Sequence, residues 1–274
     1  MKYGTLLRLS SVCEAPEKLA ALREFGMDAC QLIYKPEKYD TADALAIKKA
    51  AEDAGIEISA QFCGYRDSNC IWDTRFDFLN SGINSPFYGG ERVNYLLSAI
   101  PFMKALGVTD MVIHPGFIPN DPFADAYSRM LAAVGLLGTR LRAAGLNLLF
   151  ETGTESPISL LRLILDSGLD NLYINLDTAN PIMYGFGNPV DALYTFGKYV
   201  RNTHFKDGLP PTIPGKLGPE VAIGKGHVDF PKVVSMLKEL GYDRYVIIER
   251  EIGGEEQTRD ILGAMGYIKG LFES

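Results

Sequence analysis

Four residues that can ligate a metal ion stand at the ends of four successive apolar, strand-like runs in this sequence. The runs are LNLLFE ending at Glu151, LYINLD ending at Asp177, RNTHF carrying His204 and YVIIE ending at Glu249. They are spaced 26, 27 and 45 residues apart along the chain. If the runs are neighbouring parallel strands, their polar ends meet at one rim, so the spacing predicts a single convergent site.

The chemistry of this set is that of a divalent metal centre. Three carboxylates and one imidazole form a mostly oxygen donor set, which suits Mn²⁺ first and Mg²⁺ next, with Co²⁺, Fe²⁺ or Zn²⁺ also possible. Four protein ligands leave one or two positions for the carbonyl and hydroxyl oxygens of a substrate. Taken singly, Asp177 could instead cap the following helix, and His204 could be a hydrogen-bonded core histidine. Glu251 is the alternative ligand on the last strand.

A repeated glycine signal predicts the elements that position these residues. Seven glycines each end an amphipathic stretch and precede a β-like run, and glycine can end a helix in the left-handed conformation at little cost: Gly26, Gly55, Gly107, Gly145, Gly168, Gly197 and Gly241. Adding a first strand over Tyr3–Leu9 gives eight strands. The predicted helices are Glu17–Phe25, Thr41–Ala54, Glu91–Leu106, Pro122–Ala144, Pro157–Asp166, Pro189–Thr195, Pro231–Leu240 and about Gln257–Phe272.

Strict alternation of strand and helix predicts an α/β fold with parallel pairing and right-handed crossovers. Eight units in 274 residues favour a single (β/α)₈ TIM barrel with eight parallel strands, for which roughly 250 residues are typical. A Rossmann-like sheet is the alternative. It calls for a glycine fingerprint after the first strand, and the segment there, SSVCEAPEK, has no glycine. We therefore expect one domain over residues 1–274.

Composition and charge limit the classes of molecule that this protein is expected to bind. The net charge is −7, and the scattered lysines and arginines form no basic stripe, which argues against nucleic-acid binding. No apolar run approaches the roughly 18 residues needed to span a membrane, and the N-terminal segment does not resemble a signal peptide. We expect a cytoplasmic protein with four reduced cysteines, a small-molecule ligand and a possible homo-oligomeric state.

Two long loops follow the third and seventh predicted strands, Cys63–Gly90 and Asp207–Gly226, on the face where barrel enzymes carry out their chemistry. The first contains Trp72, which could cover a sugar ring or belong to an apolar cluster that anchors the loop. The glycines over residues 215–226 could offer amides to a phosphate or simply provide conformational freedom. Lys206 lies two residues after His204, so it should also face inward and contact substrate or pair with a buried acid.

Five segments together resemble the xylose isomerase-like barrel family. They are FETG at Glu151, NLDTAN at Asp177, THFKDG at His204, GKGHVDFPKVV over residues 224–234 and YVIIEREIGG at Glu249. The likeness runs from VIHPG to Gly254 and points to the sugar phosphate isomerase/epimerase branch, which includes ketose 3-epimerases and inosose dehydratases. It implies one divalent ion on the four residues, Glu151 and Glu249 as the acid–base pair, and His114 beside the metal or substrate.

Where that family often has histidine, this chain has Asn180, which can bond a hydroxyl but cannot shuttle a proton near neutral pH.

The resulting hypothesis is a metal-dependent sugar isomerase or epimerase. A carboxylate removes a proton next to a carbonyl of a ketose, inosose or sugar phosphate, and a divalent cation stabilises the enediolate. Return of the proton gives epimerisation or isomerisation, whereas loss of a hydroxyl gives dehydration, as in a lyase of the inosose dehydratase type. The alternatives are a metal-dependent phosphodiesterase of the apurinic endonuclease type and a non-catalytic sugar-binding barrel.

Overall fold

The computed structural model describes residues 1–274, and its centre is a closed barrel of eight parallel strands, as the sequence predicts. The strands follow the chain order around the barrel, and β1 closes it by pairing with β8 through Tyr3 and Val246. Their ranges are β1 Lys2–Leu7, β2 Ala29–Tyr34, β3 Glu57–Cys63, β4 Asp110–Ile113, β5 Asn147–Glu151, β6 Leu172–Asp177, β7 Val200–Phe205 and β8 Tyr245–Ile248. The fold is therefore a (β/α)₈ TIM barrel.

Ten helices surround the strands or cap their ends. They are α1 Ala15–Glu24, α2 Thr41–Ala54, α3 Gly89–Leu97, α4 Ile100–Leu106, α5 Asp125–Ala143, α6 Pro157–Ser167, α7 Asn180–Tyr184, α8 Pro189–Phe196, α9 Phe230–Glu239 and α10 Gly254–Glu273. Helix α2 shows why such boundaries can be predicted. Asp40 and Asp43 form a capping box at its start, and Gly55 ends it in the left-handed conformation at φ 66°.

Two local predictions are wrong. The helix predicted over Glu91–Leu106 is divided at Ser98 and Ala99 into α3 and α4, because Pro101 cannot donate a backbone hydrogen bond to a preceding turn. Gly197 does not end a helix in the left-handed conformation. It has φ −49° and starts a 3₁₀ turn, and a Cβ there would lie 2.5 Å from Leu240. Close packing is the reason for that glycine.

The interior of the barrel is layered. Side chains alternate along a strand, so the face that carries Glu151 also carries Leu149. Leu149 packs with Ala60 and Val112 in a small apolar cluster that is separate from the large core between strands and helices. Polar side chains lie on both sides of this apolar cluster, towards the N-terminal and the C-terminal end of the barrel, and the two polar groups differ in composition.

The N-terminal end of the barrel holds a compact ion-pair network around Asp110, which is 1% exposed. Arg201 Nε donates to Asp110 Oδ2 at 2.8 Å, and Arg244 Nη2 donates to the same oxygen at 3.3 Å. Asn147 Nδ2 donates to Asp110 Oδ1 at 2.7 Å. This carboxylate therefore has two cationic partners and an amide.

None of the helices combines the length and apolar character that crossing a bilayer requires.

Candidate metal centre

The structure brings the four sequence-predicted residues together at the C-terminal ends of β5, β6, β7 and β8. One potential ligand atom from each of Glu151, Asp177, His204 and Glu249 lies within 4.8 Å of every other, and all four residues are buried. Glu249 comes directly after β8. Consecutive strands of a parallel barrel end at one rim, which is why positions so distant in sequence converge. This group could hold a metal ion.

His204 lies at the centre of the group. Its Nδ1 is 2.9 Å from Glu151 Oε1 and 2.9 Å from Glu249 Oε2. Burial disfavours the charged imidazole, but the charges of the two carboxylates and their hydrogen bonds outweigh it and raise the pKa of His204 well above its usual value. This raised pKa favours a charged imidazole, whose Nδ1 faces the two carboxylates at a position that a cation could take.

Asp177 caps the following helix and also lies within the four-residue group. Its Oδ1 accepts from the backbone N–H groups of Ala179 and Asn180, at 2.8 and 2.7 Å, and so caps the start of α7. Its Oδ2 is buried and has no hydrogen-bond partner. Burial raises the pKa of Asp177 to about 8. A buried carboxylate oxygen without a partner is costly, and a bound cation would remove that cost.

Lys206 is 2% exposed and pairs with Glu251, whose side chain is 53% exposed, so the predicted pairing with an acid is present but its partner is not a buried one. Its Nζ donates to Glu251 Oε1 and, at 3.4 Å, to Asn180 Oδ1. Burial disfavours the ammonium, but Glu249, Asp177 and Glu251 raise the pKa of Lys206 well above its usual value. Glu251 is thus the partner of Lys206 and lies outside the four-residue group.

The balance of charges acts on Glu249 in the opposite direction. Burial alone would raise its pKa, but the nearby cations Lys206 and His204 outweigh burial and hold the pKa of Glu249 below its usual range. Glu249 is therefore ionised, whereas Asp177 is protonated near neutral pH in the metal-free protein. The two carboxyl groups differ because their neighbours differ.

Two further predicted residues, His114 and Trp72, lie next to each other. Their ring centroids are 5.4 Å apart, and the His114 ring is 5.6 Å from that of Phe62, which also lies 6.2 Å from His204. His114 Nδ1 is buried without a partner, and burial lowers the pKa of His114. A neutral imidazole with an unused nitrogen near the site can bind a hydroxyl group.

The two long loops meet above this rim. Trp72, Phe76 and Phe78 from the loop after β3 surround Phe117, which follows β4, with centroid distances of 5.6–5.9 Å. Gly215 N of the loop after β7 donates to Thr74 Oγ1 at 2.8 Å. Trp72 therefore belongs to an apolar cluster that anchors its loop, and it also borders His114.

The loop after β7 uses its glycine amides internally. Asp207 is buried, and its carboxylate accepts from the backbone N–H groups of Gly208, Gly224 and Gly226 at 2.8–2.9 Å and of Val228 at 3.2 Å. A Cβ at Gly226 would lie 2.2 Å from Asp207 Oδ1, so only glycine fits there. The amides of Gly224 and Gly226, considered from sequence as a phosphate site, hold a carboxylate of the protein itself.

Sequence reasoning missed three buried amide side chains beneath the group, Gln31, Asn175 and Asn202. Asn175 and Asn202 each precede a predicted ligand by two residues, so alternation along the strand could have identified them as inward-facing. Gln31 interrupts the apolar run of β2. Nothing in the local sequence shows which residue it contacts.

Comparison with known proteins places the chain in a family. A sequence model of the xylose isomerase-like TIM barrel family matches residues 19–269, and the chain belongs to that family. An inosose dehydratase of Lacticaseibacillus casei is 25% identical over 146 residues, which cover 46% of this chain and 48% of that protein. The chain thus matches about half the length of this curated relative.

Solved structures give the same fold. A xylose isomerase domain protein from Planctomyces limnophilus superposes with a TM-score of 0.88 at 28% identity, covering 98% of this chain and 96% of its own. A D-psicose 3-epimerase, solved in the presence of D-fructose, gives 0.74 at 15% identity with full coverage of both chains. A barrel from Mycobacterium smegmatis in complex with magnesium gives 0.69 at 16% identity, covering 96% and 89%.

Proposed function

We propose that this protein is a divalent-metal-dependent sugar epimerase or isomerase that acts by proton abstraction next to a carbonyl. One observation carries the proposal: Glu151, Asp177, His204 and Glu249 converge within 4.8 Å at the C-terminal rim of the barrel. Family membership supports a sugar-modifying enzyme, and solved barrels of the same fold include ketose 3-epimerases.

The four residues fit a divalent cation. Asp177 Oδ2 has no partner, and His204 Nδ1 faces two carboxylates at 2.9 Å, so a cation would replace a proton and supply the missing contact. The oxygen-rich donor set favours Mn²⁺, with Mg²⁺ next. When bound, the ion would polarise the substrate carbonyl and stabilise the negative charge of the enediolate.

Glu151 and Glu249 are the proposed acid–base pair. They approach His204 Nδ1 at equal distances of 2.9 Å from two different strands, and a substrate bound between them would meet a carboxylate on each face. One carboxylate takes the proton from the carbon beside the carbonyl, and the other delivers a proton to the opposite face. One C–H bond breaks and one forms, which inverts that carbon.

The remaining polar groups would orient the sugar. Asn180 and the neutral His114 can bond hydroxyl groups, while Trp72 borders His114 and offers an apolar surface to the ring. Lys206 is already bound to Glu251 and Asn180, and the Gly224 and Gly226 amides bind Asp207. The two groups that the sequence offered to a phosphate, Lys206 and the glycine amides, are therefore engaged, and we propose an unphosphorylated ketose as the substrate.

The phosphodiesterase alternative has less support. A multinuclear site of that type requires additional metal ligands, and one group of potential ligands is present in this structure. His114 lies near that group, whereas His227 is exposed on a loop. The chain therefore lacks the histidines that a second and third ion would use.

The proposal is tested by hydrogen exchange on a substrate panel. The Mn²⁺-loaded protein is incubated in D₂O with ketoses, aldoses, inososes and their phosphates, and products are analysed by NMR and mass spectrometry. We expect deuterium at the carbon next to the carbonyl of an unphosphorylated ketose, with the epimer appearing alongside. Elemental analysis of protein prepared without chelator should find one divalent ion per chain.

Three outcomes would contradict the proposal in different ways. Tight sugar binding without deuterium uptake would identify a non-catalytic barrel. Cleavage of DNA at abasic sites would identify the phosphodiesterase. Faster turnover of a sugar phosphate than of its free sugar would reject the proposed substrate class while leaving the proposed chemistry intact.

A further inference from the structure

A closed ring of hydrogen bonds lies beneath the candidate metal centre. His204 Nε2 is 2.8 Å from Gln31 Oε1, and Gln31 Nε2 donates to Asn175 Oδ1 at 3.4 Å. Asn175 Nδ2 donates to Glu151 Oε2 at 2.6 Å, and Glu151 Oε1 lies 2.9 Å from His204 Nδ1, which closes the ring. The ring joins four strands, β2, β5, β6 and β7, and all its members are buried.

The donors and acceptors of this ring have one consistent assignment. The carboxylate of Glu151 can only accept, so the Asn175 atom that faces it is the nitrogen, and the other atom, which faces Gln31 and Asn202, is the oxygen of the amide. Gln31 must then present its NH₂ group to Asn175 and its oxygen to His204. A glutamine oxygen cannot donate, and His204 therefore carries a proton on Nε2 towards Gln31.

The position of Gln31 gives this assignment a consequence for the metal. A proton on Nε2 leaves Nδ1 as the nitrogen that can offer a lone pair, and Nδ1 is the atom that faces Glu151 and Glu249. The partner of the second ring nitrogen commonly fixes the orientation of a metal-ligating histidine. Gln31 reaches His204 across the barrel from β2, which is not a neighbour of β7.

We infer that Gln31 is a positioning residue of the metal centre: it selects Nδ1 of His204 as the ligand atom and, through Asn175, fixes the carboxylate of Glu151. The inference rests on the proposed metal-dependent function. It assigns to β2, which carries none of the four ligands, a direct influence on metal affinity.

The test compares three variants. Gln31→Met keeps the length of the side chain and removes both hydrogen bonds. Gln31→Glu keeps an acceptor for His204 Nε2–H. Gln61→Met is the matched control, because Gln61 is also a fully buried glutamine, lies on the adjacent strand β3, and contacts Cys63 instead of His204. Circular dichroism and thermal melting of the metal-free proteins check that each variant folds.

Two measurements decide the outcome. Calorimetric titration with Mn²⁺ should show about 10–100-fold weaker binding for Gln31→Met, the usual cost of losing such a partner, and binding within a few-fold of wild type for Gln61→Met. Gln31→Glu keeps the acceptor for His204 but loses the donor to Asn175, so its affinity should lie between those two. The Zn²⁺-loaded protein labelled with ¹⁵N-histidine should show His204 protonated at Nε2. The sequence has only three histidines, so a His204→Asn spectrum assigns the signal. In Gln31→Met, the spectrum should no longer show His204 in the Nε2-protonated form alone.

The failures are distinguishable. A wild-type protein that binds neither Mn²⁺ nor Zn²⁺ would overturn both the proposed function and this inference. A wild-type protein that binds metal, with Gln31→Met matching it in affinity and in the histidine spectrum, would overturn the inference alone. An equal loss of affinity in Gln61→Met would also overturn it, because a general effect of core substitution would then be responsible. If Gln31→Met does not fold, loss of the Nε2-protonated form of His204 in Gln31→Glu would count against the inference, because the carboxylate of that variant still accepts from Nε2–H.

Discussion

The two ends of the barrel interior both bury charged side chains, but they balance those charges differently. At the N-terminal end, Asp110 meets Arg201 and Arg244. At the C-terminal end, three carboxylates gather around His204, and Asp177 Oδ2 remains without a partner. A buried charge is tolerated where it is paired. We therefore expect the completed network to serve stability, and we propose the incomplete one as the place where a ligand binds.

The largest effect is expected on catalysis at the C-terminal end. Glu151→Gln and Glu249→Gln should each lower turnover by at least about 10³-fold, because each removes a proton-transfer group and a metal ligand. The fold should survive, since the barrel core is untouched. Steady-state assays on the identified substrate, with circular dichroism as the folding control, measure both. Near wild-type turnover of either variant would reject the assigned roles.

A smaller effect, on stability instead of catalysis, is expected at the N-terminal end. Asp110→Asn leaves Arg201 and Arg244 without their carboxylate. Because these arginines are 26% and 35% exposed, the loss should be about 1.5–3 kcal/mol, the range for hydrogen bonds to charged groups. Chemical denaturation of the metal-free protein measures the change. The control is Asp170→Asn, whose partner Arg142 lies with it on the surface, where an ion pair contributes about 1 kcal/mol or less. Equal effects of the two variants would contradict the comparison.

Asp177→Asn should raise the stability of the metal-free protein, whereas Asp110→Asn should lower it. Because burial raises the pKa of Asp177 to about 8, the folded protein holds a proton that the unfolded chain releases near pH 4, so this group lowers stability as pH rises from about 4 to 8. The asparagine variant has no carboxyl group here, so its stability lacks this dependence on pH. Between pH 5 and 8 its melting temperature should therefore rise relative to that of the wild type. Added Mn²⁺ should raise the melting temperature of the wild type only. A gain independent of pH would exclude this cause.

The smallest effect concerns protons displaced by the metal. The raised pKa of His204 means that Mn²⁺ must replace a proton, so apparent affinity should rise with pH by about tenfold per unit for each proton released. Calorimetry in two buffers of different ionisation enthalpy counts those protons. Affinity that is constant from pH 6 to 8 would show that His204 is already neutral before the metal binds.

Sequence patterns were sufficient for the features that depend on local order. The eight strands follow from helix-ending glycines and apolar runs, and convergence of Glu151, Asp177, His204 and Glu249 follows from their positions at strand ends. The division of the helix predicted over Glu91–Leu106 had a local signal, Pro101, that the prediction did not use. The role of Gly197 had none, because it depends on packing against Leu240. Gly226 likewise shows its partner, Asp207, only once the loop has folded.

The contact of Gln31 with His204 could not be predicted, because it depends on barrel closure. These residues are 173 positions apart and lie on strands that are not neighbours. Periodicity can indicate which way a side chain points, but it does not determine which residue faces it across the interior. The candidate ligands were therefore predictable, and the amides that contact them were not.

The Asp207 anchor has a consequence for how this rim can diversify. Because Asp207 gathers the amides of Gly208, Gly224, Gly226 and Val228, the start and the end of the loop are held independently of residues 210–217 between them. We therefore expect residues 210–217 to tolerate changes of length or composition that leave Asp207 and its four amide donors in place. Under the proposed function, such changes are a route to a different sugar preference with the four candidate ligands unchanged.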